Sequence, residues 1–323
     1  MLNSAYFRYL NTALKVLIAL ICLWFLYREF FKKDNFSTLW ELFISTPVTF
    51  KSLAIIASAL ALVFVNWGLE TFKWHMLIAR VEPISWFKAF ESVISGITFS
   101  LFTPNRIGEF AARIFYLETN HRIKGILISI IGSVSQLCIT IIAGSFCFCY
   151  YLIVHQDLDN LEKTLLITAA VITSTIILLF YYNMDILRTI LLKINRAKRT
   201  RMYLNVFSSY AASDLSKILT LSFARYLTFS FQYFLLLRFF NISISLAEGF
   251  VIISSIFFVL AIIPTIALAE LGIRGAAAIY FLGSYSSNSL GIVASSYGLW
   301  CINLALPAVL GLLFLPQINF FRK

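Results

Sequence analysis

The amino-acid sequence predicts an all-α polytopic membrane protein, with about six full spans and two re-entrant helical hairpins arranged as inverted pseudo-repeats. Three observations carry this prediction. The 323 residues are 60% hydrophobic and only 13% charged, whereas a soluble domain has about 25% charged residues. Apolar runs recur along the chain, and two of them are interrupted by a proline. The sequence contains no polar stretch long enough for a soluble domain, so residues 1–323 are predicted to form one integral membrane domain.

Six runs are predicted to be full spans, because crossing the hydrocarbon core takes about 20 mainly apolar residues. They are residues 13–31, 52–69, 125–154, 164–183, 218–237 and one segment within 275–321. The first run resembles a signal peptide, but no small-x-small cleavage site follows it, which favours a retained span. Tryptophans commonly anchor spans at the interface, and this position is expected for Trp67, Trp74 and Trp86.

Two further apolar segments are broken in the middle. Residues 92–117 are interrupted at Pro104, and residues 249–282 are interrupted at Pro264. A proline lacks a backbone donor and pushes the preceding residue out of the helical region. Each leg of the first segment is too short to cross a bilayer, so both segments are predicted to enter the membrane, turn at depth and return to the same side.

The basic residues predict the orientation, because cytoplasmic loops are enriched in Lys and Arg. The most basic stretch, residues 184–217, is therefore expected to be a cytoplasmic loop, and the acidic stretch 155–163 falls outside. Counting spans in both directions places the two termini, together with Lys73, Arg80 and Lys88, on the cytoplasmic side. The predicted location is the bacterial inner membrane.

This count divides the chain into four parts: an N-terminal span and loop at 1–50, a first repeat at 51–183, the basic loop at 184–217, and a second repeat at 218–323. The first hairpin opens from the inside and the second from the outside, so the second repeat is the first turned over. Interrupted helices paired in inverted halves are a sequence pointer to a transporter binding site near the middle of the membrane.

The first broken segment carries Glu109 and Arg113, which share a helix face at a spacing of four residues and can pair. Arg106 lies just before this leg, where the start of a helix favours an anion. Ionisable groups at membrane depth are costly, so they are functional candidates. Two further polar residues, Thr103 and Asn105, are candidate substrate contacts, and Pro104 and Gly108 are candidate hinges.

The second broken segment repeats this chemistry with Glu270 and Arg274 as candidate substrate contacts and Pro264 and Gly272 as candidate hinges. Arg225 lies within the 218–237 span and is a further candidate, which either lines a cavity or makes a polar contact between helices. The structural alternative is that both Glu–Arg pairs only pin the hairpins. Because pairs of this kind are retained twice, each time at a helix break, the functional interpretation is favoured.

Other chemistries lack support in the sequence. The five cysteines and three histidines are scattered without metal-ligand spacing, and no catalytic nucleophile motif or nucleotide-binding loop is present, so no metal, cofactor or catalytic residue is predicted. The net charge of +11 fits contact with anionic lipid better than with nucleic acid, because basic loops of membrane proteins touch anionic head groups.

The stretch Thr103-Pro104-Asn105-Arg106-Ile107-Gly108-Glu109-Phe110, followed by Arg113, resembles the signature of the lysylphosphatidylglycerol synthase transmembrane-region family. The stretch from Pro264 to Arg274 resembles the second motif of that family, although Glu270 precedes Gly272 rather than following it. The resemblance covers roughly residues 51–316. It implies a flippase-like domain that moves lipids between leaflets, without the soluble half that transfers lysine in the multiple peptide resistance factor.

The leading hypothesis is therefore a transporter that flips a phospholipid or a lipid-linked anionic head group. Membrane lipids are the expected partners, and a lipid-modifying enzyme or a second copy of the chain is a possible protein partner. A first alternative is a membrane-embedded transferase that uses the exposed acids Asp157, Asp159 and Glu162. A second is a non-catalytic membrane partner of a lipid-modifying enzyme.

Overall fold

The computed structural model describes residues 4–31, 41–44, 47, 49–101, 103, 106–194, 198–263 and 267–318. Within these residues the regular secondary structure is entirely helical, with no β-strand. The fold class predicted from the sequence, an all-α membrane protein, is confirmed.

The first part of the chain contains four helices that lead to the site: α1 (Ser4–Phe31), α2 (Phe50–Ile78), α3 (Trp86–Ser100) and α4 (Gly108–Ile114). Helix α2 starts at a capping box, in which the Thr49 hydroxyl accepts from the amide of Ser52 and the Ser52 hydroxyl accepts from the amide of Thr49. Helix α3 starts where Ser85 accepts a bond from the Lys88 amide at 3.2 Å. Such caps satisfy amides that would otherwise have no partner.

The middle of the chain consists of α5 (Arg122–His155), α6 (Asn160–Tyr182), α7 (Met184–Ile194) and α8 (Lys198–Leu204). Residues 184–217, predicted to be a loop, thus contain two helices and the beginning of a third. In α7 the charged residues Asp185, Arg188 and Lys193 lie among apolar residues at a spacing that fits an amphipathic helix. A reading based on net charge alone could not detect this periodicity.

The last part contains α9 (Ala212–Phe239), α10 (Leu246–Ile262), α11 (Ala267–Leu282), α12 (Ser289–Trp300) and α13 (Leu306–Leu312). Helix α10 starts like α3, because Ser245 accepts from the Glu248 amide at 3.2 Å. A single π-helical turn, Cys301–Ala305, joins α12 to α13. Such turns insert an extra residue and rotate the side chains that follow.

Four helical segments in the described residues are long and apolar enough to cross a membrane: Phe50–Ile78, Thr119–His155, Asn160–Tyr182 and Ser289–Leu312. Helix α9 has 28 residues, which corresponds to a length of about 42 Å, but it is more polar than these four. The predicted number of six full spans remains a prediction.

The long helices α2 and α9 pack against each other at the centre of the molecule. Helix α3 folds back on α4 and contacts α13, and α10 packs on α5 and α11. The breaks between α3 and α4 and between α10 and α11 coincide with the two predicted interruptions. The helices flanking them have 15, 7, 17 and 16 residues, each fewer than the roughly 20 that a span needs.

Three predictions about the first repeat are wrong. Helix α2 continues past Leu69 to Ile78, so Lys73 is not a loop residue but a side chain only 2% exposed. Trp67 and Trp74 are buried in the core and are not exposed on the surface, as anchors in the lipid head groups would be. Lys73 can be buried because Glu70 neutralises its charge inside the protein. The two indoles are buried because they pack against the guanidinium groups of Arg113 and Arg225.

Candidate functional site

The centre of the site is the carboxylate of Glu70, which lies on the central helix α2 and is only 5% exposed. Its Oε1 accepts from Arg113 Nη2 at 2.9 Å. Its Oε2 pairs with Lys73 Nζ at 2.8 Å and accepts from Arg225 Nη1 at 2.9 Å. One carboxylate therefore joins three cations from α2, α4 and α9.

The predicted pair of Glu109 and Arg113 is formed, because Arg113 Nη2 also donates to Glu109 Oε1. Arg113 thus bridges the two carboxylates of Glu109 and Glu70. Its guanidinium carbon lies 5.3 Å from the ring centre of Trp74, within the range of a cation–π contact. The pair predicted from the sequence is one edge of a larger network.

Arg225 on α9 makes contacts similar to those of Arg113. Its Nε donates to Asn66 Oδ1 at 2.9 Å, and its guanidinium carbon lies 5.0 Å from the ring centre of Trp67. Asn66 in turn donates to Asn303 Oδ1 at 2.7 Å. Asn303 lies in the π-helical turn, so this turn adds a third element to the network.

Lys73 extends the network towards α5. Its Nζ lies 3.2 Å from the carbonyl oxygen of Gly132 and 3.4 Å from the hydroxyl of Ser222. The Ser222 hydroxyl also contacts that of Ser135 at 2.8 Å. The ammonium group is therefore held by a carboxylate, a carbonyl and a hydroxyl, which is how a charge is retained in a protein interior.

Two adjoining cavities of about 550 and 270 Å³ open beside this network and share part of their walls. Both are lined by Arg106 from the first break, Arg225 from α9 and Arg274 from α11. The larger one is also lined by Glu70, Lys73 and Glu109. Both predicted motifs and the predicted arginine of α9 thus meet at one cavity.

The turn before α4 explains how Arg106 reaches this cavity. Thr103 Oγ1 accepts from the Gly108 amide at 2.9 Å and donates to the Phe99 carbonyl at 3.0 Å. A Cβ at Gly108 would lie 2.3 Å from that carbonyl oxygen, so only glycine fits. Arg106 itself has a φ of 57°, a left-handed conformation that is uncommon for residues other than glycine and often marks functional turns.

The other predicted site residues either lie outside the described part of the chain or have no shown contact with the network. Gly272 lies inside α11, and no atom of the described residues would lie within 4 Å of a Cβ placed there, so no close approach among these residues requires a glycine. Pro104, Asn105 and Pro264 lie outside the described residues, and so does the side chain of Glu270. Thr103 lines the larger cavity, but its bonds close the turn.

Comparison with known families decides which kind of protein this is. Residues 12–311 match the family described as lysylphosphatidylglycerol synthase TM region. The chain belongs to this family. No curated protein and no solved structure matched in the corresponding comparisons.

Membership in the lysylphosphatidylglycerol synthase TM-region family confirms the resemblance inferred from the Thr103–Arg113 motif. Sequence reasoning nevertheless missed four residues of the network: Asn66, Glu70, Lys73 and Asn303. A signal was present for two of them, because Glu70 and Lys73 are three residues apart, a spacing at which opposite charges pair on a helix. The predicted span ended at Leu69, directly before Glu70, so this pair was not recognised as part of the helix.

The acids of the alternative transferase hypothesis lie elsewhere. Asp159 Oδ1 accepts from the Glu162 amide at 2.7 Å, and Glu162 Oε2 accepts from the Asp159 amide at 2.9 Å. These reciprocal bonds form a capping box that starts α6. Two of the three acids thus have a structural role that accounts for them.

Proposed function

We propose that this membrane protein translocates a lipid between leaflets, and that the lipid's anionic head group passes through the cavity lined by Arg106, Arg225 and Arg274. The cavity supports the proposal because four cations line it, the three arginines and Lys73, and the carboxylates among its described side chains are those of Glu70 and Glu109. Guanidinium groups suit phosphate oxygens, since their donors form a planar fork. The acyl chains would stay in the bilayer.

In this proposal the two broken segments are re-entrant hairpins that enter from opposite sides, in inverted repeats. The cavity lies between them, as interrupted helices in transporters commonly place a binding site near the middle of the membrane. The setting is the bacterial inner membrane with both termini in the cytoplasm. A lipid-modifying enzyme is the expected source of cargo.

The network suggests how the head group could pass. Arg113 and Arg225 share the carboxylate of Glu70, and each already has a second acceptor, Glu109 or Asn66. An entering phosphate can replace a Glu70 oxygen as the partner of Arg225 without leaving either charge alone. Exchanging one anion for another limits the cost of moving a charge at depth, which would otherwise be several kcal/mol.

The test is leaflet exchange of a fluorescent anionic phospholipid in proteoliposomes. Arg274→Gln should slow exchange by about tenfold or more, because a charge-assisted hydrogen bond contributes about 1.5–3 kcal/mol. The matched control is Arg238→Gln, because Arg238 is an exposed residue outside the cavity lining, with its guanidinium carbon 5.3 Å from the ring centre of Phe234. Equal rates for wild type and Arg274→Gln, or wild-type rates no faster than protein-free liposomes, would contradict the proposal.

A further inference from the structure

A second cavity, of about 350 Å³, lies at the start of α3. Its lining includes the rings of Phe87, Phe115 and Tyr116 and the polar side chains of Lys88, Glu91 and Gln317. The described residues that line it differ from those that line the cavity with the three arginines. From Glu91 to Ser100, which lines that other cavity, α3 rises by about 14 Å. The second cavity is therefore a separate site, and its volume is typical of a small-ligand pocket.

Glu91 is the residue of this cavity that calls for a ligand. It is only 6% exposed, yet no hydrogen bond or ion pair joins its carboxylate to another residue in the described part of the chain. The donors beside it have other partners, because Lys88 Nζ lies 3.7 Å from Glu82 Oε1 and the Tyr116 hydroxyl donates to the Phe314 carbonyl at 3.1 Å. Burying a carboxylate without a donor is unfavourable. A bound ligand would supply the missing donor.

The ligand group that suits this carboxylate is a primary ammonium. Such a group has three N–H donors and a positive charge, so it can satisfy the hydrogen-bonding capacity and the charge of Glu91 together. The aromatic rings in the walls, among them Phe87 and Tyr116, are compatible with a cation, because the faces of aromatic rings attract positive charge.

Lys88 adds a second, opposite charge to the same cavity. It precedes Glu91 by three residues on α3, a spacing that places both on one face of the helix. Its side chain is 35% exposed, so it lies nearer the mouth than the buried Glu91. A zwitterionic head group fits this order, with its ammonium at Glu91 and its phosphate at Lys88. In phosphatidylethanolamine the ammonium is the end farthest from the acyl chains, and it would therefore enter first.

The aromatic residues at the start of α3 indicate where such a ligand comes from. Trp86 is 48% exposed and Phe87 is 59% exposed. Exposed tryptophans of membrane proteins are enriched at the level of the lipid head groups, and here one adjoins the cavity lining. We propose that this cavity binds the head group of a zwitterionic aminophospholipid such as phosphatidylethanolamine, at a site separate from the translocation cavity.

The test is equilibrium binding to the purified full-length chain in a neutral detergent. The probes are dihexanoyl phosphatidylethanolamine, dihexanoyl phosphatidylcholine and phosphoethanolamine. The two lipids carry the same phosphate and no net charge, so contacts of the phosphate with the arginines of the other cavity cancel in their ratio. Phosphatidylethanolamine should bind about tenfold or more tightly than phosphatidylcholine, whose trimethylammonium group has no N–H donor. Equal binding of the two lipids, or phosphoethanolamine binding as tightly as the lipid, would overturn the proposal.

Variants locate this preference in the second cavity. Glu91→Gln should reduce the ratio of the two affinities about tenfold. Glu118→Gln is the matched control and should leave the ratio unchanged, because Glu118 is exposed and does not line the cavity. Arg274→Gln alters the other cavity and should also leave it unchanged. A preference that survives Glu91→Gln, or that disappears in Arg274→Gln, would overturn the proposal.

Thermal unfolding separates a ligand site from a structural contact. Without lipid, Glu91→Gln should unfold at a temperature at least as high as that of the wild type, because it removes a buried charge that has no partner. Saturating phosphatidylethanolamine should raise the unfolding temperature of the wild type more than that of the variant. A variant that unfolds at a lower temperature without lipid, or that fails to fold, would show that Glu91 is bonded within the protein and would overturn the proposal.

This proposal and the proposed function fail in different ways. Loss of the ethanolamine preference, with lipid exchange in proteoliposomes intact, would remove the second site and leave translocation standing. A Glu91-dependent preference without any lipid exchange would remove translocation instead.

Discussion

The unit formed by α2, α3 and α4 and the unit formed by α9, α10 and α11 have a similar order of elements but differ in the charged side chains that the structure describes. Each consists of a long central helix, a serine-capped helix and a break. In the first unit, buried cations are accompanied by the buried carboxylates of Glu70 and Glu109. In the second, the described cavity side chains with charge are the cations Arg225 and Arg274. Glu70 of the first unit is thus the counter-ion of Arg225 in the second unit.

The largest effect should follow from Glu70→Gln, which removes the counter-ion that three cations share. Breaking a buried ion pair costs about 3–5 kcal/mol, because the partner charge is left uncompensated. The free energy of unfolding, measured by SDS titration from mixed micelles, should fall by this amount. Glu118→Gln is the control, since Glu118 is exposed. A loss of less than 1 kcal/mol would mean that the network is hydrated and not a structural centre.

Gly108 and Gly272 were both predicted to be hinges, and they offer a sharper comparison of the two breaks. Gly108→Ala would place a Cβ 2.3 Å from the Phe99 carbonyl oxygen, so it should destabilise the protein by about 1–3 kcal/mol. Gly272→Ala lies inside a helix and its Cβ meets no atom of the described residues within 4 Å, so it should stabilise the protein by about 0.5–1 kcal/mol. Thermal unfolding in detergent measures both. Two shifts of the same sign would contradict the assignment of only Gly108 to a close contact.

Asn303 tests the link between the π-helical turn and the central network. Asn303→Ala removes the acceptor of Asn66 Nδ2 and leaves a buried donor unpaired, which costs about 1–3 kcal/mol. The free energy of unfolding should decrease accordingly. Asn303→Asp restores an acceptor and should recover part of the loss. An unchanged free energy of unfolding in Asn303→Ala would show that water replaces Asn303 as the acceptor of Asn66 Nδ2.

The smallest effect is expected at the other ion pair between α9 and the end of α2. Arg80 Nη2 lies 2.6 Å from Asp214 Oδ2, but its side chain is 51% exposed. Exposed pairs contribute about 0–1 kcal/mol, so Arg80→Gln should change the free energy of unfolding by no more than this. A loss close to that of Glu70→Gln would show that the contact between the helices, and not burial, determines the energy of a pair.

The comparison also explains which parts of the molecule were predictable. The long apolar helices follow from apolar runs in the sequence. The breaks are predicted from Pro104 and Pro264, because a proline acts on the backbone next to it. The pairing of Glu109 with Arg113 follows from a spacing of four residues on one helix. Contacts that depend on distant segments, such as Asn66 with Asn303 and Glu70 with Arg225, leave no local pattern. Gly108 and Gly272 look alike in sequence, and only the surrounding atoms separate them.

The central claim is that the two units build one binding site, and a double-mutant cycle on lipid exchange tests it most directly. Arg106→Gln alters the first unit, Arg274→Gln the second, and rates are measured in proteoliposomes for each variant and for both together. If both arginines contact the same head group, their effects should deviate from additivity by about 0.5 kcal/mol or more. Strictly additive effects, or a variant that exchanges lipid like the wild type, would contradict the claim.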